Sequence, residues 1–178
     1  MMPEAEDLDL LRRFRAGDRD AFTAIYREHQ ACVFRFARLM TGDRMKAAEV
    51  TQDVFVWLIH HPGDFDPERG ELSGFLVGVA RKFVKRRYSE ERRWAPLDKD
   101  ITAPEAAGES DHDAERLRQA VAALSLRYRE VVALCGLEGK SYEEAAGIVD
   151  CAVGTVRSRL HRARELLARK LMGRRCHV

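Results

Sequence analysis

The most distinctive chemistry in the chain lies in a run of arginines that follows several small residues, "CAVGTVRSRLHRARE" at positions 151–165. Between positions 157 and 175 eight Arg and Lys residues stand against Glu165 alone. Arginine donates hydrogen bonds to guanine edges and to phosphate oxygens. Small residues at the start of such a helix let its backbone approach the bases. The pattern therefore predicts a helix that enters the major groove of DNA with its first turns.

The residues in front of this helix strengthen that interpretation. The segment Ser141-Tyr-Glu-Glu144 has the spacing of a capping box, which predicts a short helix from there to about Val149. A turn of three or four residues separates it from the basic helix, which is typical of a helix-turn-helix. The alternative is an arginine-rich face exposed to solvent, but such faces normally include acids. The candidate DNA contacts are Gly154, Thr155, Arg157, Ser158, Arg159 and Arg162.

A second basic block, at positions 81–93, differs because aromatic residues interrupt it, namely Phe83, Tyr88 and, just beyond its end, Trp94. A positive track beside aromatic rings suits single-stranded or melting DNA, on whose unpaired bases the rings can stack. Phe83 is in phase with the apolar face of its helix, so we expect it to be buried. The preceding loop, 60–73, could form a pocket for an extruded base with Phe65, Asp66 and Arg69.

The elements that carry these residues are predicted to be helices throughout, because apolar residues recur at steps of three and four and no alternating strand pattern occurs. We expect an all-α fold with helices from Asp18 or Asp20 to about Met40, over 44–60, from about Gly74 to 94, and over 126–137. The segment 95–113 has six acids against Lys99 and reads as a flexible linker. The two basic blocks then lie in separate modules on a loose tether.

Composition limits the possible functions. The chain has 178 residues, is 46% hydrophobic and 34% charged, and contains no apolar run of membrane-spanning length. Its first residues lack the basic-then-apolar order of a signal peptide, so we expect a cytoplasmic protein. The four cysteines form no Cys-x-x-Cys pair, and we expect no metal and no cofactor. His29 and Cys32 fall on an apolar helical pattern, where a core thiol is favoured over a metal ligand.

The order of these parts resembles the extracytoplasmic-function (group IV) sigma factors of bacterial RNA polymerase, from about Asp9 to Leu171. "AAEVTQDVFVWLI" is similar to the family's polymerase-binding helix, "FDPERGELSGFLVGVARKFVKRRYSEERR" to its promoter-melting segment, and "VGTVRSRLHRAR" to the second helix of its region 4. The resemblance implies two small helical domains. Region 2 would occupy 1–94, the linker 95–113, and the region 4 helix-turn-helix 114–178.

The same resemblance implies a role for particular residues. Glu49, Gln52 and Asp53 would face core RNA polymerase, and Gly154 to Arg162 would read the minus-35 element. The residues implied for the minus-10 element are Phe65, Asp66, Arg69, Arg81, Lys82, Lys85, Arg86 and Tyr88. The implied partners are core RNA polymerase, promoter DNA and an anti-sigma factor, with no membrane insertion.

Two motifs depart from the family pattern. The common Ala-Arg-Asn is Ala80-Arg81-Lys82 here, which removes an amide that could hydrogen-bond a base. The usual Leu-Gly-Val-Pro turn is Val149-Asp150-Cys151-Ala152, so a glycine is missing from the turn. Asp is one of the few residues that adopts the left-handed conformation which such a turn requires.

Other functions fit the sequence less well. A helix-turn-helix regulator that acts without core polymerase would need a sensor or receiver domain, and residues 1–94 show no strand-helix alternation. An enzyme acting on nucleic acid would need a carboxylate metal cluster, a phosphate loop or a nucleophile motif, and none is present. An adaptor that binds only protein would not explain why the chain has two strongly basic segments. We therefore predict a protein that is not an enzyme.

Overall fold

The computed structural model describes residues 3–94 and 112–172. Within these two ranges every regular element is a helix, as the sequence predicts. Most of the predicted linker, residues 95–111, lies outside the described residues, and so does the tail after Met172.

The chain forms two small helical domains, one on each side of the undescribed segment. The first contains α1 (Pro3–Arg15), α2 (Arg19–Thr41), α3 (Arg44–His60), a 3-10 turn (Pro67–Arg69) and α4 (Leu72–Trp94). The second contains α5 (His112–Ala122), α6 (Leu126–Val131), which continues as a π-helical turn (Val132–Leu137), α7 (Tyr142–Val149) and α8 (Val153–Met172). The predicted boundaries of the first domain's helices hold to within a few residues, although α4 starts at Leu72 rather than near Gly74.

Local capping explains where the helices of the first domain start and stop. The Asp18 carboxylate accepts hydrogen bonds from the backbone amides of Asp20 and Ala21, which makes Asp18 the cap of α2. Gly42 ends α2 with φ of 71°, a left-handed conformation that favours glycine. Asp43 then caps α3 through the amides of Met45 and Lys46. Two successive residues, Gly42 and Asp43, thus end one helix and start the next.

The core of the first domain lies between α2, α3 and α4. Ile25, Val33, Phe36 and Met40 are fully buried on α2, in agreement with the predicted apolar face. The apolar periodicity of α3 predicts five inward residues, of which Trp57 is half-buried and the other four are buried, namely Ala47, Val50, Val54 and Leu58. Phe55 is buried in addition. The Phe55 ring packs edge-on against Tyr26, with ring centroids 4.8 Å apart. Contact with α2 therefore accounts for the burial of Phe55.

The sequence analysis did not predict α1. Leu11 of this helix is buried, and the buried Asp7 carboxylate lies 2.8 Å from Nε2 of His29. Burial of His29 opposes its charge, but the hydrogen bond to Asp7 more than offsets this and raises the pKa of His29 to about 9. The Cys32 thiol donates to the His29 carbonyl oxygen. His29 and Cys32 therefore belong to the core of the first domain.

The second domain contains the predicted helix-turn-helix. Both hydrogen bonds of the capping box are present between Ser141 and Glu144. Asp150 adopts φ of 55° and ψ of 61°, which confirms that an aspartate provides the left-handed residue of the turn. Val156, Leu160 and Ala163 are the buried residues of α8. The Ser125 side chain, in contrast, makes no capping hydrogen bond at the start of α6.

The two domains pack against each other. Helix α2 contacts α5, α6 and the π-helical turn, and α4 contacts α7. Buried residues of both domains, among them Val77 and Leu134, belong to one continuous apolar cluster. Nothing in the sequence indicated this contact, because it joins segments that are far apart along the chain.

Candidate nucleic-acid interface

The start of α8 presents its polar side to solvent. Val156 and Leu160 anchor the opposite face in the core, which leaves Gly154, Arg157 and Ser158 exposed. Arg162 is exposed as well, whereas Thr155 and Arg159 are half-buried. The arginines that follow Gly154 are thus not neutralised in the protein interior, and their guanidinium groups lie where a ligand can reach them.

Neighbouring side chains constrain two of these arginines. The guanidinium of Arg157 lies over the Tyr142 ring, 5.8 Å from its centroid, which is within the range of a cation–π contact. Arg162 forms an ion pair with Glu165 at 2.7 Å, one turn further along the helix. Because both pairs lie at the surface, DNA phosphates can replace the partner at little energetic cost.

The second basic surface is the outer side of α4. Lys82, Lys85 and Arg86 are exposed there. Phe83 is half-buried rather than buried as expected, and the Arg86 guanidinium lies 5.1 Å from the centroid of its ring.

Two residues predicted for the same surface point elsewhere in this structure. Nε of Arg81 donates to Oε1 of Glu130 at 2.8 Å, and its Nη2 donates to the Val149 carbonyl oxygen at 2.9 Å. The Tyr88 hydroxyl donates to the Met40 carbonyl oxygen at 2.8 Å. Arg81 therefore contacts the second domain, and the Tyr88 hydroxyl lies in the same interdomain region.

Sequence reasoning missed the partners of these residues, Arg129 and Glu130. Both are buried, and Arg129 donates to the Met40 carbonyl oxygen and to the Tyr88 hydroxyl in the first domain. Within its own domain Arg129 donates to the carbonyl oxygens of Ala122 and Leu124. The sequence contained one signal for their burial, since these two charged residues directly precede the apolar stretch 131–137. Charged residues in that position are more often exposed at the surface.

The loop before α4 forms one wall of a cleft of about 520 Å³. Phe65 is buried against Phe75, with ring centroids 5.4 Å apart, while Asp66 caps the 3-10 turn and Arg69 is exposed. Arg15 of α1 holds the loop through the carbonyl oxygens of Pro62 and Phe65. The opposite wall belongs to α7, which lines the cleft with Glu143, Glu144, Gly147 and Ile148.

The predicted polymerase-binding face of α3 is exposed at Glu49 and Gln52 and half-buried at Asp53. Arg87 of α4 forms ion pairs with the carboxylates of both Glu49 and Asp53. The distance from its Nη2 to the Asp53 carboxylate is 2.8 Å. Val56 and Ile59 on the same helix are 44% and 45% exposed. The helix therefore offers a mixed polar and apolar surface, as protein interfaces do.

Two negative findings apply to residues 3–94 and 112–172. No group of three or more His, Cys, Asp or Glu side chains is arranged to hold a metal ion there. No helix in these ranges is long and apolar enough to cross a membrane. The cysteines described, Cys32, Cys135 and Cys151, form no disulfide with one another, and burial raises the pKa of the Cys135 thiol.

Comparison with known proteins identifies the family. The model of Sigma-70 region 2 matches residues 25–94, and that of Sigma-70 region 4 matches residues 114–167. The ECF RNA polymerase sigma factor EcfG of Rhodopseudomonas palustris is 32% identical over 138 residues, which cover 75% of each chain. The chain is an extracytoplasmic-function sigma factor. It binds core RNA polymerase and directs promoter-specific initiation of transcription.

Two further comparisons extend over more of this sigma factor. The RNA polymerase sigma-H factor of Pseudomonas aeruginosa is 28% identical over 190 residues, which cover 96% of each chain. The sigma factor RpoE from Bartonella quintana, solved in complex with the anti-sigma factor NepR, superposes with a TM-score of 0.70 at 26% identity. That superposition covers 85% of this sigma factor and 96% of the other. The sigma-factor family, to which the chain belongs, does not consist of enzymes.

Proposed function

We propose that this sigma factor reads its promoter with two surfaces, one on each domain. The first domain spans 1–94 and binds both core polymerase and the minus-10 element. Residues 95–113 connect it to the second domain, 114–178, which binds the minus-35 element. The observation that carries the proposal is the exposed, nearly unopposed arginine surface at the start of α8, the second helix of a helix-turn-helix. A protein that acts on polymerase and chromosomal DNA would work in the cytoplasm, and membership of the sigma-factor family supports this location.

For the minus-35 element, the proposed contacts are the first two to three turns of α8. Gly154, Thr155 and Ser158 allow a close approach, and the helix N-terminus itself favours a phosphate. Arg157 and Arg162 are exposed and suited to guanine edges. Arg159 is half-buried and flanks the surface, which fits a phosphate contact better than a base contact.

For the minus-10 element, the proposed surface runs from the loop at Phe65, Asp66 and Arg69 along the outer side of α4. Lys82, Lys85 and Arg86 are available to phosphates as the structure stands. Arg81 and Tyr88 take part only after their present partners release them. The Phe65 ring is 7% exposed, so it also has to leave its buried position before it can contact a base.

For core polymerase, the proposed contact is Glu49, Gln52 and Asp53 on α3. Exposed acids next to exposed apolar residues, Val56 and Ile59, support this choice. An anti-sigma factor is the third proposed partner. Support comes from the RpoE structure, in which a protein of similar fold is bound to an anti-sigma factor.

Reconstituted transcription tests the proposal. Purified protein is added to core polymerase with a genomic library of templates, and transcripts are sequenced from their 5′ ends. We expect discrete start sites that depend on the added protein and share two upstream elements. Binding of promoter duplex by the protein alone should be weak. Strong duplex binding without polymerase, together with no new start sites, would contradict the proposal and favour a regulator that acts alone.

A further inference from the structure

The guanidinium group of Arg15 joins the end of α1 to the loop that precedes α4. Its Nε donates to the Pro62 carbonyl oxygen at 2.7 Å, and its Nη2 donates to the Phe65 carbonyl oxygen at 3.3 Å. These two nitrogens lie on one edge of the planar group, so a single arginine holds both carbonyls. The two carbonyls flank Gly63 and Asp64, and the contact therefore holds the backbone on both sides of this dipeptide.

The loop depends on such a contact because its own interactions are weak. Gly63, Asp64 and Asp66 are exposed. The Asp64 amide donates to the His61 carbonyl oxygen at 3.3 Å, which is longer than most hydrogen bonds between backbone groups. The buried Phe65 ring anchors one side chain, but it does not fix the backbone that leads up to it. A loop that is ordered before its ligand arrives loses less conformational entropy on binding.

Three arginines near the end of α1 have three different partners. Arg12 pairs with Asp9 on the same helix, and its side chain is 82% exposed. Arg13 pairs with Asp18, the residue that caps α2. Arg15 reaches the loop, across 47 and 50 positions of sequence. Arg12 therefore provides a matched control for Arg15, with the same side chain on the same helix and a local partner.

The position of α1 does not depend on Arg15 alone. Leu11 is 2% exposed, and the Phe14 ring lies 5.2 Å from the ring of Phe22 on α2. The hydrogen-bonded aspartate and histidine described above also join α1 to α2. Loss of the Arg15 hydrogen bonds should therefore release the loop and leave the helix in place.

We propose that Arg15 is a positioning residue for recognition of the minus-10 element. It fixes the backbone that leads into Phe65, Asp66 and Arg69, which are the loop residues proposed to contact this element. Helix α1 lies ahead of residues 25–94, the range that matches the region 2 model, and it thereby contributes to promoter reading without touching DNA. The inference rests on the proposed minus-10 surface and adds the residue that shapes it.

The mobility of the loop in the free full-length protein provides the first test. Arg15→Met removes the hydrogen-bond donors and keeps an unbranched side chain, and Arg12→Met is the control. We expect the backbone order parameters of Gly63 and Asp64, from NMR relaxation, to fall below about 0.6 in Arg15→Met and to match the wild type in the control. Unchanged order parameters would overturn the proposal. A fall throughout the first domain would also overturn it, because it would show a general structural role.

Promoter selection with core polymerase provides the second test. Transcription is measured from promoters that carry single substitutions in the minus-10 or the minus-35 element. We expect Arg15→Met to lose about tenfold of its discrimination between bases of the minus-10 element. Discrimination at the minus-35 element and affinity for core polymerase should keep their wild-type values. A similar loss in all three properties would contradict a positioning role.

A conservative variant separates positioning from a direct contact with DNA. Lysine keeps the positive charge but lacks the planar fork, so Arg15→Lys should hold one carbonyl at a time and restore only part of the minus-10 discrimination. The salt dependence of promoter binding should be the same in both variants and in the wild type. If Arg15 contacts a phosphate instead, lysine restores binding in full and Arg15→Met has a smaller salt dependence. That pair of results would refute the proposal.

These measurements also distinguish this inference from the function on which it rests. A wild type without any minus-10 preference would refute the proposed function itself, and the order parameters would still decide whether Arg15 holds the loop. A wild-type preference that Arg15→Met retains in full would leave the proposed function standing and refute the positioning role.

Discussion

Arg157 and Arg81 lie in similarly basic helices, but their guanidinium groups have different surroundings. Arg157 is exposed and rests over the Tyr142 ring, while Arg81 is half-buried and paired with Glu130. An exposed arginine keeps its hydrogen-bond donors available to a ligand, and a buried one has already used them. Local charge density alone does not separate these two roles.

Replacement of Arg157 tests base reading by α8. We expect Arg157→Ala to weaken use of the minus-35 element by about 1–3 kcal/mol, the value of a bidentate contact with a base. The measurement is transcription from promoters that carry single substitutions in this element. Arg169→Ala, an exposed arginine near the end of the same helix, is the control. Equal promoter preference in both variants would count against α8 as the reader.

His29 makes stability depend on pH. Its pKa is raised from 6.5 to about 9 in the folded protein, so the protonated histidine stabilises the fold fully below pH 6.5. This contribution is lost as pH rises through about 9, at up to about 1.4 kcal/mol per pH unit. We expect the free energy of unfolding of the wild type to fall between pH 6.5 and 9. Urea unfolding of His29→Gln should lack this component, and parallel pH profiles would show that His29 is not its source.

At the scale of elements, the segment from α7 to α8 is fixed by local interactions. The capping box starts α7, Asp150 ends it in a left-handed conformation, and three buried residues orient α8. All of these features lie within about twenty residues of sequence. The helix-turn-helix was therefore predictable, whereas α1 was not, because its burial depends on α2.

The turn offers a test of this local control. We expect Asp150→Gly to preserve or slightly raise stability, since glycine takes a φ of 55° without strain. Asp150→Val should lower stability by about 1–2 kcal/mol, the cost of a left-handed conformation for a residue with a branched side chain. Thermal unfolding of both variants gives the comparison. A more stable valine variant would mean that the turn can change its conformation.

The exposed face of α3 can be tested as a unit. We expect Gln52→Ala with Asp53→Ala to reduce affinity for core polymerase about tenfold, equivalent to 1.4 kcal/mol. The fold should survive, because Arg87 retains Glu49 as a partner. Competition with labelled wild type for core polymerase measures the effect, and Glu28→Ala on α2 is the control. Unaltered competition would remove this face from the polymerase contact.

At the scale of the whole molecule, the two domains share one apolar cluster and several ion pairs. Shared burial couples the unfolding of the domains, because neither loses its core without exposing part of the other.

Calorimetry measures the coupling directly. We expect the wild type to unfold in one transition at neutral pH. A variant with Arg35→Glu and Glu71→Lys places like charges opposite Glu138 and Lys140 of the second domain, and it should unfold in two transitions, one for each domain. The control with Arg19→Glu and Glu28→Lys should keep a single transition. Two separate transitions already present in the wild type would show that the domains unfold independently.

The sequence by itself determined the helical class, the faces of α2 and α8, the Thr41-Gly42-Asp43 break, the capping box and the left-handed aspartate. Each depends on residues a few positions apart, where periodicity and capping chemistry operate. Tertiary structure decided the fate of Arg81, Arg129 and Glu130. Glu130 is 49 positions from Arg81, and the Met40 carbonyl is 89 positions from Arg129. A charged side chain is normally solvated, and only a partner brought close by folding makes its burial favourable. The contact between the domains could not be predicted either, because it too is formed by segments that only folding brings together.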